Sequence, residues 1–309
     1  MAQTVPQKPK AALAPEVKPE PQEPKPVEKK ITAILITRNQ AAELRRAVAA
    51  LERSTVLEQM DILAVDCGSA DDIRLVGDEH PALTPLYLPD DFGSTKALNI
   101  AVRTAKTDLL FFLSPDVEVS PDTVERLVER LEASPDTAAV CPLLVDEQGR
   151  PAPLFQGVPS RETLSQACAG AAPQPLSLDT SQESVAVGYP GRYALLVRKQ
   201  FIIAMNYFDE RFGEYWADAD LAMRILRAQR KIRVYPTVRA VWRQPAPPPD
   251  DTVHSSDRIL GAAHLLSKYD GFFAGLTFQL SAILGALGRF NFSLLGALLG
   301  GKRLGSQAN

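Results

Sequence analysis

The strongest constraint on this chain is an alternation. Short apolar runs with no polar break are each followed by a cluster of small polar residues, and then by an apolar stripe at helical spacing. "ITAILIT" (31–37) leads into a helical stretch with Leu44, Val48 and Leu51 on one face. "DILAVDCGSADD" (61–72) is a strand running into a turn, and "PLYLP" (85–89) is a shorter strand. "STKALNIAVRTAK" (94–106) is a helix with Ala97, Leu98, Ala101 and Val102 inward, and "DLLFFLSPD" (108–116) is a buried strand. The next segment is a helix with Ser120 as N-cap, Pro121 in its first position and a stripe of Val124, Leu127, Val128 and Leu131. Runs of this kind suit strands covered on both faces. Alternating with helices, they predict an α/β domain with a largely parallel sheet. Right-handed crossovers then collect the strand C-termini on one edge, where ligands bind in open α/β sheets. That edge receives "TRNQ", "DCGSADD" and "SPDVE". Turn chemistry explains any one of them; three at successive strand ends mark a site.

The flanks differ in character. Residues 1–30 are dominated by Pro, Lys, Glu and Gln and lack the apolar content to offset ordering entropy, which predicts an extended, mobile tail with no secretion signal. Residues 147–185 have little apolar periodicity and read as a long loop region or lid. Strands are expected at 193–199 and 232–236, and "QPAPPPDDT" breaks regular structure after them. The domain is therefore expected to span 31–250, with a C-terminal helical part over 251–309. From Gly271 to Gly288 no residue is charged, and Phe273, Leu276, Leu280, Ile283, Leu284 and Leu287 repeat at helical spacing. A second apolar segment ends at Lys302 and Arg303. This pair reads as helices packed on the core, as an interfacial membrane element, or as a short span.

Several function classes are excluded. A net charge of −3 with mixed signs, and no basic patch with interleaved aromatics, gives nucleic acid no surface. Cys67, Cys141 and Cys168 are odd in number and widely spaced, and His80, His254 and His264 are scattered, which argues against a disulfide framework or a structural zinc site and fits a reducing, cytoplasmic compartment. No Gly-x-Gly-x-x-Gly follows a strand and no Gly-x-x-x-x-Gly-Lys-Ser/Thr loop occurs, against a dinucleotide-dependent oxidoreductase and a P-loop NTPase.

Five segments, in order, resemble the family-2 glycosyltransferases of GT-A fold, closest to the rhamnosyltransferase-like members that build bacterial surface polysaccharides. They are "ILITRNQ", "VDCGSADD", "DDFGSTKALNIAV", the block from "FFLSPD" to "DEQGR", and "FDERFGEYWADADLAMRILRAQRKIRVYP". The resemblance implies inverting transfer from a nucleotide-diphosphate sugar to a saccharide or lipid-linked saccharide at the inner face of the cytoplasmic membrane. Such transfer needs a carboxylate to take the acceptor proton and positive charge to stabilise the leaving diphosphate. By resemblance, Asp66 is the nucleoside-binding aspartate, with Thr37, Asn39 and Ser69 beside it. Asn99 lies in the segment that approaches the donor. Asp116 is the last aspartate of the Asp-x-Asp motif and the ligand of a divalent metal, Mn or Mg. Asp218 is the base, and Asp220 is the next acid, which starts and orients its helix or contacts the acceptor.

The departures from the family pattern bear on metal and acceptor. Arg38 replaces the usual tyrosine, Ser114 stands at the first metal-motif position, and Ala217 replaces the glutamate before the base. Arg243 occupies the place of a metal-completing histidine, and a charged guanidinium does not ligate metal. Two readings stay open: a transferase in which Arg243, with Arg192, neutralises the diphosphate in place of metal, or a catalytically degenerate binding protein.

Overall fold

A computed structural model describes residues 27–171, 175–243 and 251–304, together with Ala2. The tail expected over 1–30 lies outside the described residues but for Ala2 and 27–30, as do 244–250 of the proline-rich break.

The first half follows the alternation. Strands β1 (Ile31–Thr37), β2 (Met60–Cys67), β3 (Leu83–Leu88) and β4 (Leu109–Leu113) pair in parallel in the order β3-β2-β1-β4. Helices α1 (Ala41–Glu52), α2 (Ile73–Glu79) and α3 (Ser94–Thr104) are the crossovers. Every residue of β4 is buried, as an unbroken "LLFFL" requires. The helix after β5 (Val117–Val119) is α4 (Thr123–Glu132), which starts two residues later than expected. Ser120 does not cap it. Instead its backbone N–H donates to Thr123 Oγ1, and a turn precedes the helix.

Beyond β4 the sheet becomes mixed. Its order continues β4-β8-β6-β9-β5, with β6 (Thr137–Val145), β8 (Ala194–Arg198) and β9 (Lys231–Trp242), while β7 (Val185–Ala186) pairs with β9. β8 runs antiparallel to both β4 and β6. Strand β6 is buried throughout despite Pro142, because the β6–β9 register shifts between Pro142 and Leu143. A proline is tolerated inside a sheet at such an irregularity. Strand β9 extends well past the expected 232–236 and carries Trp242 to the site edge.

The 147–185 region is less irregular than its composition implies. It contains α5 (Arg161–Cys168), started by a reciprocal cap between Ser160 and Thr163. Only Leu164 of that helix is buried, so no apolar stripe announces it. Helices α6 (Lys199–Ala204) and α7 (Ala217–Arg227) follow β8. The C-terminal part is α8 (Thr252–Tyr269), α9 (Phe272–Gly288) and α10 (Phe292–Leu299). Among the described residues no helix is long and apolar enough to cross a membrane, which removes the spanning reading.

Candidate active site

The loops after β1 and β2 are laced together. Thr37 and Asp66 are partners in the β1–β2 register, and both are buried. Asp66 accepts from the Ser69 N–H at 3.2 and 3.3 Å and from the Ser69 hydroxyl. The turn between them needs Gly68, whose φ is +68° and where a Cβ would lie 3.0 Å from the Asp90 backbone. The Asn39 N–H donates to Ser69 Oγ at 2.7 Å, and Asn39 Oδ1 accepts from Ala70 N at 2.8 Å. Arg38 pairs with Asp91 at 2.7 Å, joining the loop after β3. Thr37, Asn39, Asp66 and Ser69 thus share one rim.

Asp116 sits just beyond β4, 3% exposed. Its Oδ2 accepts from Trp242 Nε1 at 2.6 Å, and its Oδ1 has no partner among the described residues. Burial pushes this carboxyl above its ordinary range, and the nearby Ser114 side chain and the Trp242 N–H oppose the shift. Arg243, next along β9, donates its backbone N–H to the Asp116 carbonyl at 2.8 Å. Its guanidinium is held by Glu118 at 2.5 Å and by Glu147, so it arrives already neutralised.

Asp218 stands in the first turn of α7. It shares a cavity of about 180 Å³ with Ser114, Pro115, Arg192 and Tyr193. Its Oδ2 accepts from the Tyr189 hydroxyl at 2.9 Å, and its Oδ1 from the Ala219 N–H at 2.9 Å. Arg192 forms no hydrogen bond or ion pair among the described residues, although its charge lowers the Glu214 carboxyl, which burial raises more strongly. Burial, with the charges of Asp218 and Asp116, pushes the Tyr193 phenol up to about 12. The two carboxylates therefore act on one side chain, which stays neutral between them. Tyr189 is raised well above the ordinary phenol value, first by burial and then by Asp218, so it remains a donor.

Two expected site residues fall elsewhere. Asn99 is buried with its amide fully engaged: Nδ2 donates to the Phe208 carbonyl and Glu210 Oε1, and Oδ1 accepts from the Phe208 N–H. It lines a second cavity, with Arg103 and Lys268, and not the one around Asp218. Asp220 is 0% exposed, bound to Lys268 at 2.7 Å, Arg224 at 3.0 Å and the Tyr269 hydroxyl at 2.7 Å. It joins α7 to α8 and offers no acceptor contact. Arg243, engaged by two glutamates, is a poorer diphosphate partner than Arg192. Tyr189, Tyr193 and Trp242 carry no sequence signal, because their partners come from distant elements.

The donor set does not form a cage for a resident ion. Among the described residues no group of three His, Cys, Asp or Glu could hold one. Asp116 contributes one free oxygen beside Ser114 and Trp242. That fits only an ion that arrives already bound to a diphosphate, since such ions need one or two carboxylates besides the phosphates.

A parallel half joined to a mixed second half, with Asp66 at a strand end of the first and Asp218 at a helix start in the second, is the GT-A arrangement. The structure is similar to the mannosyltransferase PcManGT from Pyrobaculum calidifontis in complex with GDP-Man and Mn2+ (TM-score 0.54, 17% identity, covering 94% of this chain and 79% of that one). It is also similar to GalNAc-T7 with UDP, GalNAc and Mn2+ (TM-score 0.56, 13% identity, 70% and 44%). In sequence, residues 32–156 match the model of Glycosyl transferase family 2. A pre-mycofactocin glycosyltransferase of Mycobacterium tuberculosis is 28% identical over 218 residues. That match takes in 68% of this chain but only 42% of the relative's length. The fold is thus that of the GT-A glycosyltransferases, and residues 32–156 are similar to glycosyltransferase family 2.

Proposed function

We propose that this protein is an inverting glycosyltransferase that moves a sugar from a nucleotide-diphosphate sugar to a saccharide or lipid-linked saccharide. The observation that carries the reading is that Asp218 and an Arg192 unpaired among the described residues line one cavity beside the β1 and β4 strand ends, with Asp66 on the neighbouring β2 end. Asp66 and the Thr37–Ser69 rim take the nucleoside, and Arg192 faces the diphosphate. The acceptor hydroxyl oxygen attacks the anomeric carbon as the bond from that carbon to the diphosphate oxygen breaks. The bonding pair leaves with the diphosphate, and the hydroxyl proton passes to Asp218. Attack opposite the leaving group inverts the centre. Tyr189 fixes the carboxylate for this role. The mannosyltransferase neighbour is in complex with GDP-Man and Mn2+ and GalNAc-T7 with UDP, GalNAc and Mn2+, which supports donor binding and an ion brought in on the diphosphate. When bound there, the ion would add positive charge against the departing oxygen. The resemblance to surface-polysaccharide enzymes supports an acceptor of the cell envelope, met at the inner face of the cytoplasmic membrane.

A degenerate binding protein is the second reading, favoured by the occupation of Asp116 and Arg243 by protein partners. The test is a thermal-shift panel of nucleoside diphosphates and nucleotide sugars, with and without manganese, followed by donor turnover for wild type and Asp218→Asn. Stabilisation by a nucleotide with turnover lost in the variant supports the transferase. Stabilisation with equal inertness of both proteins overturns it.

A further inference from the structure

The α9–α10 hairpin is fixed to the body on one side and bare on the other. Gly275 lets α9 approach α8 closely: a Cβ there would come within 2.3 Å of the Ala263 carbonyl. Arg161 at the start of α5 donates to the Ala274 carbonyl at 3.2 Å and to Thr277 Oγ1 at 2.9 Å. The outward face carries Phe272, Phe273, Leu284, Phe290, Phe292 and Leu299, each between 64% and 77% exposed.

The tip between the helices is the most telling part. Helix α9 ends in a Schellman motif: Asn291 N donates to the Ala286 carbonyl at 2.9 Å and Phe290 N to the Leu287 carbonyl at 3.0 Å. The residue in the left-handed position, φ +55°, is Phe290, where glycine is the usual occupant. A bulky side chain takes up steric strain there. Its ring is 77% exposed, and among the described residues Phe292 is its one ring neighbour, 6.4 Å between centroids. Little inside the chain offsets the strain, so the ring's use lies outside.

The charge pattern names the partner. From Gly271 to Asn309 there is no acidic residue, and the cations are Arg289 beside Phe290, Lys302 and Arg303. A protein interface has an apolar centre with a mixed polar rim. A face of phenylalanine and leucine with Arg289 at its tip and Lys302 at its end, Arg303 turning in to the Arg211 and Leu260 carbonyls and Asp270 flanking the start of α9, matches the apolar boundary and anionic headgroups of a bilayer. Helix α9 has 17 residues. That is about 25 Å of helix, short of the ~30 Å hydrocarbon core, which suits a helix lying along a surface better than one crossing it.

We propose that the outward face of the α9–α10 hairpin docks the protein on an anionic bilayer, with Arg289, Phe290 and Phe292 at the headgroup boundary. Helix α8 then sets the cleft relative to the membrane, since it holds α9 through Ala263 and also takes the Trp216 Nε1–H on its Arg258 carbonyl at 2.9 Å, two residues before Asp218. This deepens the membrane-face reading above but is independent of glycosyl transfer.

The experiment is co-sedimentation of the full chain with phosphatidylcholine vesicles, with and without phosphatidylglycerol, beside sedimentation equilibrium without lipid. Wild type should bind the anionic vesicles at least about fivefold more tightly per engaged cation. Leu284→Asp with Phe290→Asp should abolish binding while leaving the thermal midpoint unchanged or higher. Arg289→Gln should weaken anionic binding about fivefold and leave binding to neutral vesicles unchanged. Wild type left in the supernatant overturns the proposal, as does equal binding by the double variant. A dimer that the double variant disperses, with no vesicle binding, assigns the face to a second copy and also overturns it. Failure in any of these ways leaves nucleotide binding and turnover, which the vesicles do not touch, still standing.

Discussion

The two banks of the cleft are built by different rules. On the bank proposed for the donor, the ties run within one turn or between loops of the parallel half: Asp66 to Ser69, Asn39 to Ser69 and Ala70, Arg38 to Asp91, with Thr37 Oγ1 left without a partner among the described residues. On the bank around Asp218, the acceptor bank of the proposed reaction, the ties come from other elements: Asp218 to Tyr189, its neighbour Asp116 to Trp242 at a separation of 126 residues, and Asp220 to Lys268 and Tyr269 on α8. The donor bank is a set of self-sufficient loops on a parallel sheet. The acceptor bank exists only once the mixed half of the sheet and α8 are in place. Damage on the first should stay local to nucleotide binding, and damage on the second should spread to turnover or stability.

The sharpest break of that comparison is at Asp218. Asp218→Asn keeps the side chain's shape but removes the proton acceptor, so turnover should fall by about 10²–10⁴-fold. Nucleotide-induced stabilisation should not change, because the donor bank does not depend on Asp218. Loss of both together would show that the banks are not separable.

Asp220 tests the structural side of the same helix. Asp220→Ala leaves Arg224 without its buried counter-charge and Lys268 with only Asp209 among the described residues, at 3.0 Å, and should cost about 3 kcal/mol in chemical denaturation. A change within about 0.5 kcal/mol, as for an ordinary surface substitution, would deny it the role of joining α7 to α8.

On the donor bank, Asp66→Asn should weaken nucleoside diphosphate binding by roughly 10–100-fold, the loss of one or two hydrogen bonds to a charged group. Titration of the nucleotide by calorimetry reads this directly. Stability should fall less than for Asp220→Ala, since the Asn39 ties to the second loop remain.

The same division decides what could be read from sequence. The four strands of the parallel half, and the Asp66–Ser69 turn, are legible because their structure is local: an apolar run, a Gly-centred turn, and partners three residues apart; Thr37 and Asn39 are legible only as a polar cluster at a strand end, since Asn39 meets Ser69 and Ala70 from 30 and 31 residues away. Asn99 shows the limit. The inward stripe of α3 was readable, but the buried amide faces the Phe208–Glu210 turn, and no local signal announces a partner 109 residues away. Helix α5 was hidden because a single buried leucine leaves no period to detect. Strand β6 was hidden by Pro142, which is harmless only because the register happens to shift beside it. Asp220 was half legible: its place at a helix start follows from sequence, its ion pairs with α8 do not.

Tyr189 is the smallest change and the most informative about the acceptor bank. Its backbone is paired with Gln156 in both directions, N–H to carbonyl at 3.1 Å and carbonyl to N–H at 2.9 Å, so the 147–185 segment holds it in place. Its hydroxyl then fixes one oxygen of Asp218. Tyr189→Phe keeps the ring and the bridge and removes one hydrogen bond to a charged group, which should lower kcat about tenfold. Donor affinity should be unchanged, because nothing on the donor bank touches the phenol. Burial and the Asp218 charge hold that phenol well above its ordinary value, so the bond persists through neutral and mildly alkaline pH, and the wild-type to variant ratio of kcat should be flat there. A variant with raised KM for the donor and unchanged kcat would instead make Tyr189 a binding contact. The 147–185 segment would then serve the nucleotide, and the division between the banks would have to be redrawn.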